Sequence, residues 1–353
     1  MSLILMLLAQ ATGDIVITGK RLEEPHAQCV RGGCTPLRDA QASIALAEAR
    51  FRTGAYLDAK ALLAAAIGRN RGKASTDPKP VAAIYEAYAT VALHEGNQFD
   101  YRRAVAGQVR TLRDNLPPTD PAVLAATTAL GDMWLKTSDN VKADQAYRSS
   151  EEAALKIGNE RGAMLAGMKR AWLAAAIKRP KDARAKLDEL DQRPIAQQPG
   201  YRTALKVLRL RLAAQEAEGD ELNQLIRSLG QNQEDAPVLV KAPPYELDSA
   251  ARLEEIRQRA RRFGDPNPVP FKSTDKDAIQ WADFGFWIRP DGRTAEAEVL
   301  RQSDRNPWTA LVLRQIAERR YTARPSAPSE DAQGYYKIER LTRRSKYVTQ
   351  RTV

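Results

Sequence analysis

The spacing of apolar residues changes once within residues 281–321, and this change constrains the fold more than any other feature of the chain. Apolar residues first alternate in two short runs, the period-2 pattern of strands with one buried face. Between the runs, Pro290 fixes φ and Gly292 accepts positive φ, as a tight turn requires. The first run contains Phe284, Phe286 and Ile288, and the second contains Ala295, Ala297 and Val299.

Helical spacing replaces the alternation after Asn306-Pro307, a pair that suits a helix start. Beyond a Pro-containing loop, Tyr336, Ile338 and Leu341 indicate one more strand. Residues 280–348 therefore predict a β-β-α-β unit. The apolar helical positions are Ala310, Leu311, Leu313, Ile316 and Ala317.

This order of elements resembles the C-terminal domain of TonB-type energy transducers. The resemblance implies a small domain that binds short receptor segments, called TonB boxes, by strand addition. It also implies partners among TonB-dependent outer-membrane receptors. The matching features are the aromatic-apolar strand, the turn at Asp291-Gly292, the strand end at Val299-Leu300, the helix with Ala310-Leu311 and Ile316-Ala317, and the run from Tyr321 to Pro325.

Residues 38–230 are Ala-rich and helical in pattern, with short polar breaks. Gly54 to Ala59, followed by Leu63 and Ala66-Ile67, has the spacing of the second half of a tetratricopeptide repeat, where small residues allow close helix packing. Ala143 and Ala183 repeat the position of Ala59, which implies a period of about 40 to 42 residues. The series resembles the tetratricopeptide family; an unrelated Ala-rich bundle or another α-solenoid is the alternative.

The N-terminus has an apolar run from Leu3 to Ala9, closed by Ala9-Gln10-Ala11. Such a run is too short to span a bilayer and is typical of a secretory signal, which predicts export to the periplasm of a Gram-negative bacterium. No Lys or Arg precedes the run, so the signal is minimal or the true start lies upstream. A disordered apolar tail is the other interpretation.

Cys29 and Cys34 are the only cysteines, separated by Val-Arg-Gly-Gly. In an exported chain this spacing predicts a small disulfide loop. Zinc would need two further ligands, and beyond nearby His26 a fourth ligand is not evident, so no metal is expected.

The leader also contains a short segment that resembles the TonB box of outer-membrane receptors, a polar residue followed by β-branched residues. A plain N-terminal strand is the alternative. The segment is Asp14, Ile15, Val16, Ile17 and Thr18.

Residues 231–279 are rich in Pro and polar residues and predict a connector. Within it, Val238 to Val240 predict a strand that joins the C-terminal sheet, and Ala250 to Phe263 a charged helix. The predicted fold class is α+β, a tetratricopeptide-like all-α solenoid followed by a small TonB-like β-β-α-β domain. The predicted order is a signal peptide (1–11), a leader (12–37), helical repeats (38–230), the connector (231–279) and the TonB-like domain (280–348).

The chain carries 55 Lys and Arg against 44 Asp and Glu, a net charge of +11. The basic residues are dispersed and no nucleic-acid motif is present, so a nucleic-acid partner is not expected. The basic C-terminal end predicts weak contact with an anionic membrane surface; charge that keeps an edge strand soluble is the other interpretation. That end contains Arg340, Arg343, Arg344, Lys346 and Arg351.

No catalytic motif is found, and with two histidines and no Gly-rich phosphate loop we expect neither enzymatic chemistry, a cofactor nor a small-molecule substrate. The predicted function is that of an exported adaptor that binds proteins through its repeats and its final strand. A component of TonB-dependent transport is the alternative, and an accessory subunit of an enzyme is a weaker one. The predicted protein-binding edge is Tyr335, Tyr336, Lys337, Ile338 and Leu341.

Overall fold

The computed structural model describes residues 20–228, 237–243, 269–270, 279–303, 308–323, 334–344 and 347–348. Within these residues, helices precede strands, and one later helix lies among the strands. The array helices are α1 (Lys20–Val30), α2 (Pro36–Arg52), α3 (Tyr56–Asn70), α4 (Pro78–Glu95), α5 (Gln98–Asn115), α6 (Pro121–Lys136), α7 (Asn140–Lys156), α8 (Glu160–Ala176), α9 (Pro180–Asp191), α10 (Pro199–Ala213) and α11 (Gly219–Ser228).

The strands and the last helix follow the array. They are β1 (Leu239–Lys241), β2 (Val269–Pro270), β3 (Ile279–Ile288), β4 (Thr294–Gln302), α12 (Thr309–Ala317), β5 (Arg320–Tyr321), β6 (Tyr335–Arg344) and β7 (Tyr347–Val348).

Helices α2 to α11 form five pairs, and one left-handed residue marks the turn inside each pair. These turn residues are 42, 42, 40 and 41 positions apart, which agrees with the predicted period. The helical-repeat interpretation is therefore confirmed at the level of architecture. The turn residues are Gly54, Gly96, Ser138, Lys178 and Gly219.

Small residues allow the helices of the array to pack closely. Ala59, Ala143 and Ala183 lie at the fourth position of α3, α7 and α9 and are buried. Gly131 on α6 has no room for a side chain, because an added Cβ would lie 2.3 Å from the Tyr147 ring. These contacts explain why the sequence is rich in Ala and why the pattern recurs.

The leader, predicted to contain a small disulfide loop, is partly helical. From Lys20 it forms helix α1, in which Leu22 packs against the first core cluster of the array. Cys29 and Cys34 are disulfide-bonded just before α2. The signal peptide, the TonB-box-like segment and the connector helix at residues 250–263 lie outside the described residues.

The strands β4, β3 and β6 form an antiparallel sheet in that spatial order. Helix α12 covers one face, where Phe284 and Phe286 pack with Trp308, Val312 and Ile316. The predicted β-β-α-β order is confirmed.

The strand predicted at residues 238–240 exists but does not join this sheet. It is β1, and it pairs with β5 in a separate two-stranded ladder. Arg211 of α10 donates to the Leu239 carbonyl at 2.7 Å, and Val240 packs in the core of α10 and α11. The β region therefore also contacts the last helices of the array.

Candidate protein-binding site where the sheet meets the array

Strand β6 is an edge of the three-stranded sheet. All ten of its residues pair with β3, from Tyr335 opposite Ile288 to Arg344 opposite Ile279. In the part of the chain that the structure describes, no strand pairs with its other side.

Hydrogen bonds at one end of the sheet fix which residues of β6 face the open side. Trp281 donates to the Ser303 hydroxyl and accepts from the Ser303 N–H, so its backbone groups point toward β4. Backbone direction alternates along an antiparallel strand, so Ala282, Phe284 and the other even residues of β3 point toward β6. Their partners are the odd residues of β6. The even residues, including Tyr336 and Ile338, therefore present N–H and C=O to the open side.

The side chains of Tyr336 and Ile338 lie on the face of the sheet opposite α12. Ile338 is 60% exposed and Tyr336 is 36% exposed. The Tyr336 ring lies across Gly285, where an added Cβ would be 2.0 Å from its hydroxyl, and it packs on Trp287 at 5.0 Å between ring centroids. An apolar patch thus borders the open backbone groups.

The odd residues of the predicted edge have other roles. Leu341 packs against the core under α12, and Lys337 pairs with Glu339 and lies over the Tyr321 ring. Tyr335 pairs with Ile288 through its backbone and is 37% exposed. The Leu341 side chain therefore lies partly buried on the α12 face, away from the patch of Tyr336 and Ile338. Tyr336 and Ile338 combine an exposed side chain with backbone groups that point to the open side.

The second half of β6 is docked on the array through Arg340. Its guanidinium binds the Asp283 carboxylate (Nε to Oδ1 2.6 Å) and donates to the Phe51 and Arg52 carbonyls, both at 2.9 Å. It also lies over the Trp281 ring at 4.2 Å. Arg340 therefore binds the carboxyl end of α2, where the last carbonyls have no helical partner four residues on and carry partial negative charge.

Asp283 is the only carboxylate that the described residues bring to Arg340, and its side chain is 5% exposed. Burial by itself raises the pKa of Asp283, but the hydrogen bonds and charges of Arg340 and Arg301 outweigh burial and hold the pKa below its ordinary value. The carboxylate stays ionised and keeps Arg340 directed at α2.

A second contact lies one repeat further along. Arg344 binds the buried Glu95 carboxylate at 3.0 Å, and Lys60 binds it from the other side at 2.5 Å. His94 Nδ1 lies 3.2 Å from the Thr342 hydroxyl. Strand β6 thus crosses the turns inside the first two helix pairs, at Gly54 and Gly96.

These two turns carry glycine for a second reason besides positive φ. A Cβ on Gly54 would lie 2.1 Å from Trp281 Nε1, and a Cβ on Gly96 would lie 3.0 Å from the Arg344 Cβ. The equivalent turns of the third and fourth pairs hold Ser138 and Lys178 instead. The fifth turn also holds a glycine, Gly219, with nothing within 4 Å of its Cβ position, so glycine at a turn does not by itself reveal the docking.

The basic end of the chain is less available than predicted. Arg340 and Arg344 are ion-paired with Asp283 and Glu95, and their side chains are 14% and 15% exposed. Both side chains are therefore held by carboxylates of the chain, and contact with an anionic membrane surface stays a prediction. Arg343 is partly buried, and Lys346 and Arg351 lie outside the described residues.

An apolar groove of about 320 Å³ lies between α2 and α4, beside the docked strand. Phe51 connects the two features, since it lines the groove and lies 5.9 Å from the Arg340 guanidinium. The groove suits an apolar side chain of a ligand. Its other lining residues are Ile44, Ala47, Glu48, Arg52, Leu63, Ala87, Thr90 and Val91.

The described residues lack two features that would indicate a metal site or a membrane span. They contain no group of three or more His, Cys, Asp or Glu side chains that could hold a metal ion. They also contain no helix that is both long and apolar enough to cross a bilayer.

No family model matches this chain, and no curated protein matches it. Among solved structures, the TPR-like repeats of a kinesin light chain of Podosopora anserina are similar at 15% identity and a TM-score of 0.44, over 55% of this chain and 96% of that one. BtubC of P. vanneervenii is similar at 13% identity and a TM-score of 0.45, over 73% of this chain and 94% of that one.

A third similar structure is the Rap conjugation gene regulator of plasmid pLS20, in complex with the Phr peptide. It is 10% identical with a TM-score of 0.40, over 73% of this chain and 60% of that one. All three scores lie below 0.5, so the description of the array rests on its own helix pairs and turn spacing.

Proposed function

We propose that this chain is an exported, non-enzymatic adaptor that binds partner proteins by strand addition to β6 and through the groove of the array. The observation that carries the proposal is the open half of β6. Tyr336 and Ile338 offer backbone donors and acceptors beside an exposed apolar patch, while the adjoining half is fixed to α2 by Arg340.

Strand addition explains this arrangement physically. An extended segment placed beside β6 gains backbone hydrogen bonds from two residues of the edge, and its alternate side chains meet Ile338 and Tyr336. Natural sheets protect long open edges because such edges aggregate. Here the side chains of the strand beyond Ile338 are held on the array by Arg340 and Arg344, so the exposed apolar patch is confined to the other half.

The array offers a second contact for the same partner. The groove between α2 and α4 is apolar and adjoins the Arg340 contact through Phe51. A ligand that adds to β6 and continues past Arg340 would place an apolar side chain within reach of this groove. The expected partners are envelope proteins.

The test compares capture of partners from envelope extract by the mature chain and by three variants. Ile338→Pro removes the outward N–H without breaking a β3 pairing, because proline is tolerated where the N–H faces outward. Ile338→Ala keeps that N–H and removes the side chain. Thr90→Trp fills the groove from its exposed rim.

Proteins that bind the edge should be lost with Ile338→Pro and retained in part with Ile338→Ala. Proteins that need the groove should be lost with Thr90→Trp. Equal capture by the parent and Ile338→Pro, with unchanged melting of both, would contradict strand addition and leave the array as the binding surface.

A component of TonB-dependent transport is the alternative. The order β-β-α-β, which resembles the TonB C-terminal domain, is what favours it. This alternative predicts that peptides with receptor TonB boxes bind the parent and fail to bind Ile338→Pro. Binding of unrelated extended peptides with the same affinity would favour the general adaptor.

A further inference from the structure

An apolar stripe lies along the turn edge of the array, defined as the edge formed by the turns inside the helix pairs. The second residue of α3, α5, α7 and α9 is Leu57, Phe99, Val141 and Lys181. Phe99 is 72% exposed and Val141 is 70% exposed, more than any other large apolar side chain among the described residues. Exposed apolar side chains at the same position of adjacent repeats indicate a contact surface.

The sheet already occupies the beginning of this edge. Leu57 lines a pocket of about 310 Å³ together with Ile279, and it packs against the cluster that contains Trp281. The docked strand β6 ends at Arg344, beside Gly96. Phe99 and Val141 therefore continue an established interface beyond the point where the sheet stops, and Lys181 ends the apolar series.

Positive charge surrounds the stripe. No salt bridge joins Arg102, Arg103 or Lys136 to a carboxylate within the described ranges, whereas the nearby acidic side chains are already paired: Asp100 with Lys60 and Asp139 with Lys142. Arg102 also lies 5.5 Å from the centroid of the Trp134 ring. A ligand with carboxylates would therefore meet cations that no salt bridge holds within the described ranges.

The docked strand shows how an extended chain fits this edge. Strand β6 passes from the Arg52 carbonyl at Arg340 to the Glu95 carboxylate at Arg344. One repeat is thus crossed in four residues, about 13 Å at the rise of a strand. Side chains four residues apart point to the same face of a strand.

We propose that Phe99 and Val141 form a docking surface for an acidic, extended segment of a partner protein that carries two apolar side chains four residues apart. The apolar side chains bind beside Phe99 and Val141, and the acidic residues pair with Arg102, Arg103 and Lys136. This surface is separate from the open half of β6 and does not depend on it.

The experiment uses a labelled nine-residue peptide with Ile at positions 3 and 7 and Glu elsewhere, titrated against the full mature chain by fluorescence anisotropy at low salt. We expect Phe99→Ser to weaken binding about tenfold or more, since burial of a large apolar side chain is lost. Val141→Ser should weaken it by a smaller factor, and it serves as the second variant if Phe99→Ser misfolds. Leu155→Ser is the matched control, an exposed apolar residue at the other end of α7.

Four results would overturn the proposal. The peptide does not bind the parent; a version with Lys in place of Glu binds as tightly; or Leu155→Ser weakens binding as much as Phe99→Ser. The fourth is a concentration-dependent dimer in sedimentation that Phe99→Ser abolishes, which would make a second copy the occupant.

Discussion

Arg340 and Asp283 form a clamp that joins the sheet to the array. The Asp283 carboxylate binds the Arg340 guanidinium, and the guanidinium donates to the last two carbonyls of α2. The two residues are opposite each other on β6 and β3. The same ion pair therefore bridges the two strands and also holds the sheet on the array.

Arg340→Met should detach the sheet from the first two repeats and leave Asp283 buried without its main partner. Removing one member of a buried pair costs about 3 kcal/mol of folding free energy. Denaturant unfolding of the parent, Arg340→Met, Asp283→Asn and the double variant measures the coupling. A double variant whose loss equals the sum of the single losses would contradict the clamp.

Gly54→Ala should destabilise more than Gly158→Ala. Both glycines have positive φ, for which a Cβ costs roughly 1–2 kcal/mol, but only Gly54 faces a close neighbour. Thermal unfolding compares them, and Gly158, with nothing within 4 Å, is the control. The additional loss of thermal stability caused by Gly54→Ala should become smaller in a Trp281→Ala background. If the additional loss were unchanged there, the Trp281 contact would not be its cause.

Stability should fall as pH decreases below about 6.5, the ordinary histidine value. Burial, and then the charges of Arg340 and Lys136, lower the pKa of His94 in the folded chain. As the pH falls, the histidine is protonated in the unfolded chain before it is protonated in the folded chain. The stabilising contribution is therefore fully present above pH 6.5 and decreases below it. Because the pKa of His26 is lowered as well, chiefly by burial, His94→Gln should remove only part of the decline. Identical pH curves for the parent and His94→Gln would contradict this account.

The chain from its native host should begin at Thr12, because the apolar run ends in Ala9-Gln10-Ala11. Cys29 and Cys34 should be bonded there, with the loop contributing about 2 kcal/mol in the entropic model. Intact-mass analysis and thiol labelling of denatured, non-reduced protein test both points. An unprocessed chain with two reactive thiols would contradict export.

The parts of the fold set by local pattern could be predicted from the sequence. Ala59, Ala143 and Ala183 reveal the repeat because close helix packing selects small residues at fixed spacing. Phe284, Phe286 and Ile288 reveal β3 because one face of the strand is buried.

The docking of the sheet could not be predicted in the same way. Arg340 binds the carbonyl of Phe51, which lies 289 positions away in the sequence. From the sequence alone, a charged residue near the end of an edge strand is expected to be solvated. The sequence alone does not separate Leu341 from Ile338, because apolar residues at the odd and even positions of β6 cannot be told apart until α12 defines the buried face. Gly54 and Gly96 do not reveal the covered turns either, because the uncovered fifth turn also holds a glycine, Gly219.

The most direct test of strand addition is hydrogen–deuterium exchange at single backbone amides of β6, with and without a captured partner. In the free chain, Lys337 and Glu339 should exchange slowly because they bond to β3, and Tyr336 and Ile338 should exchange fast. With partner bound, the account predicts that Tyr336 and Ile338 become slow while Lys337 and Glu339 change little. Fast exchange at Tyr336 and Ile338 in the complex would contradict it.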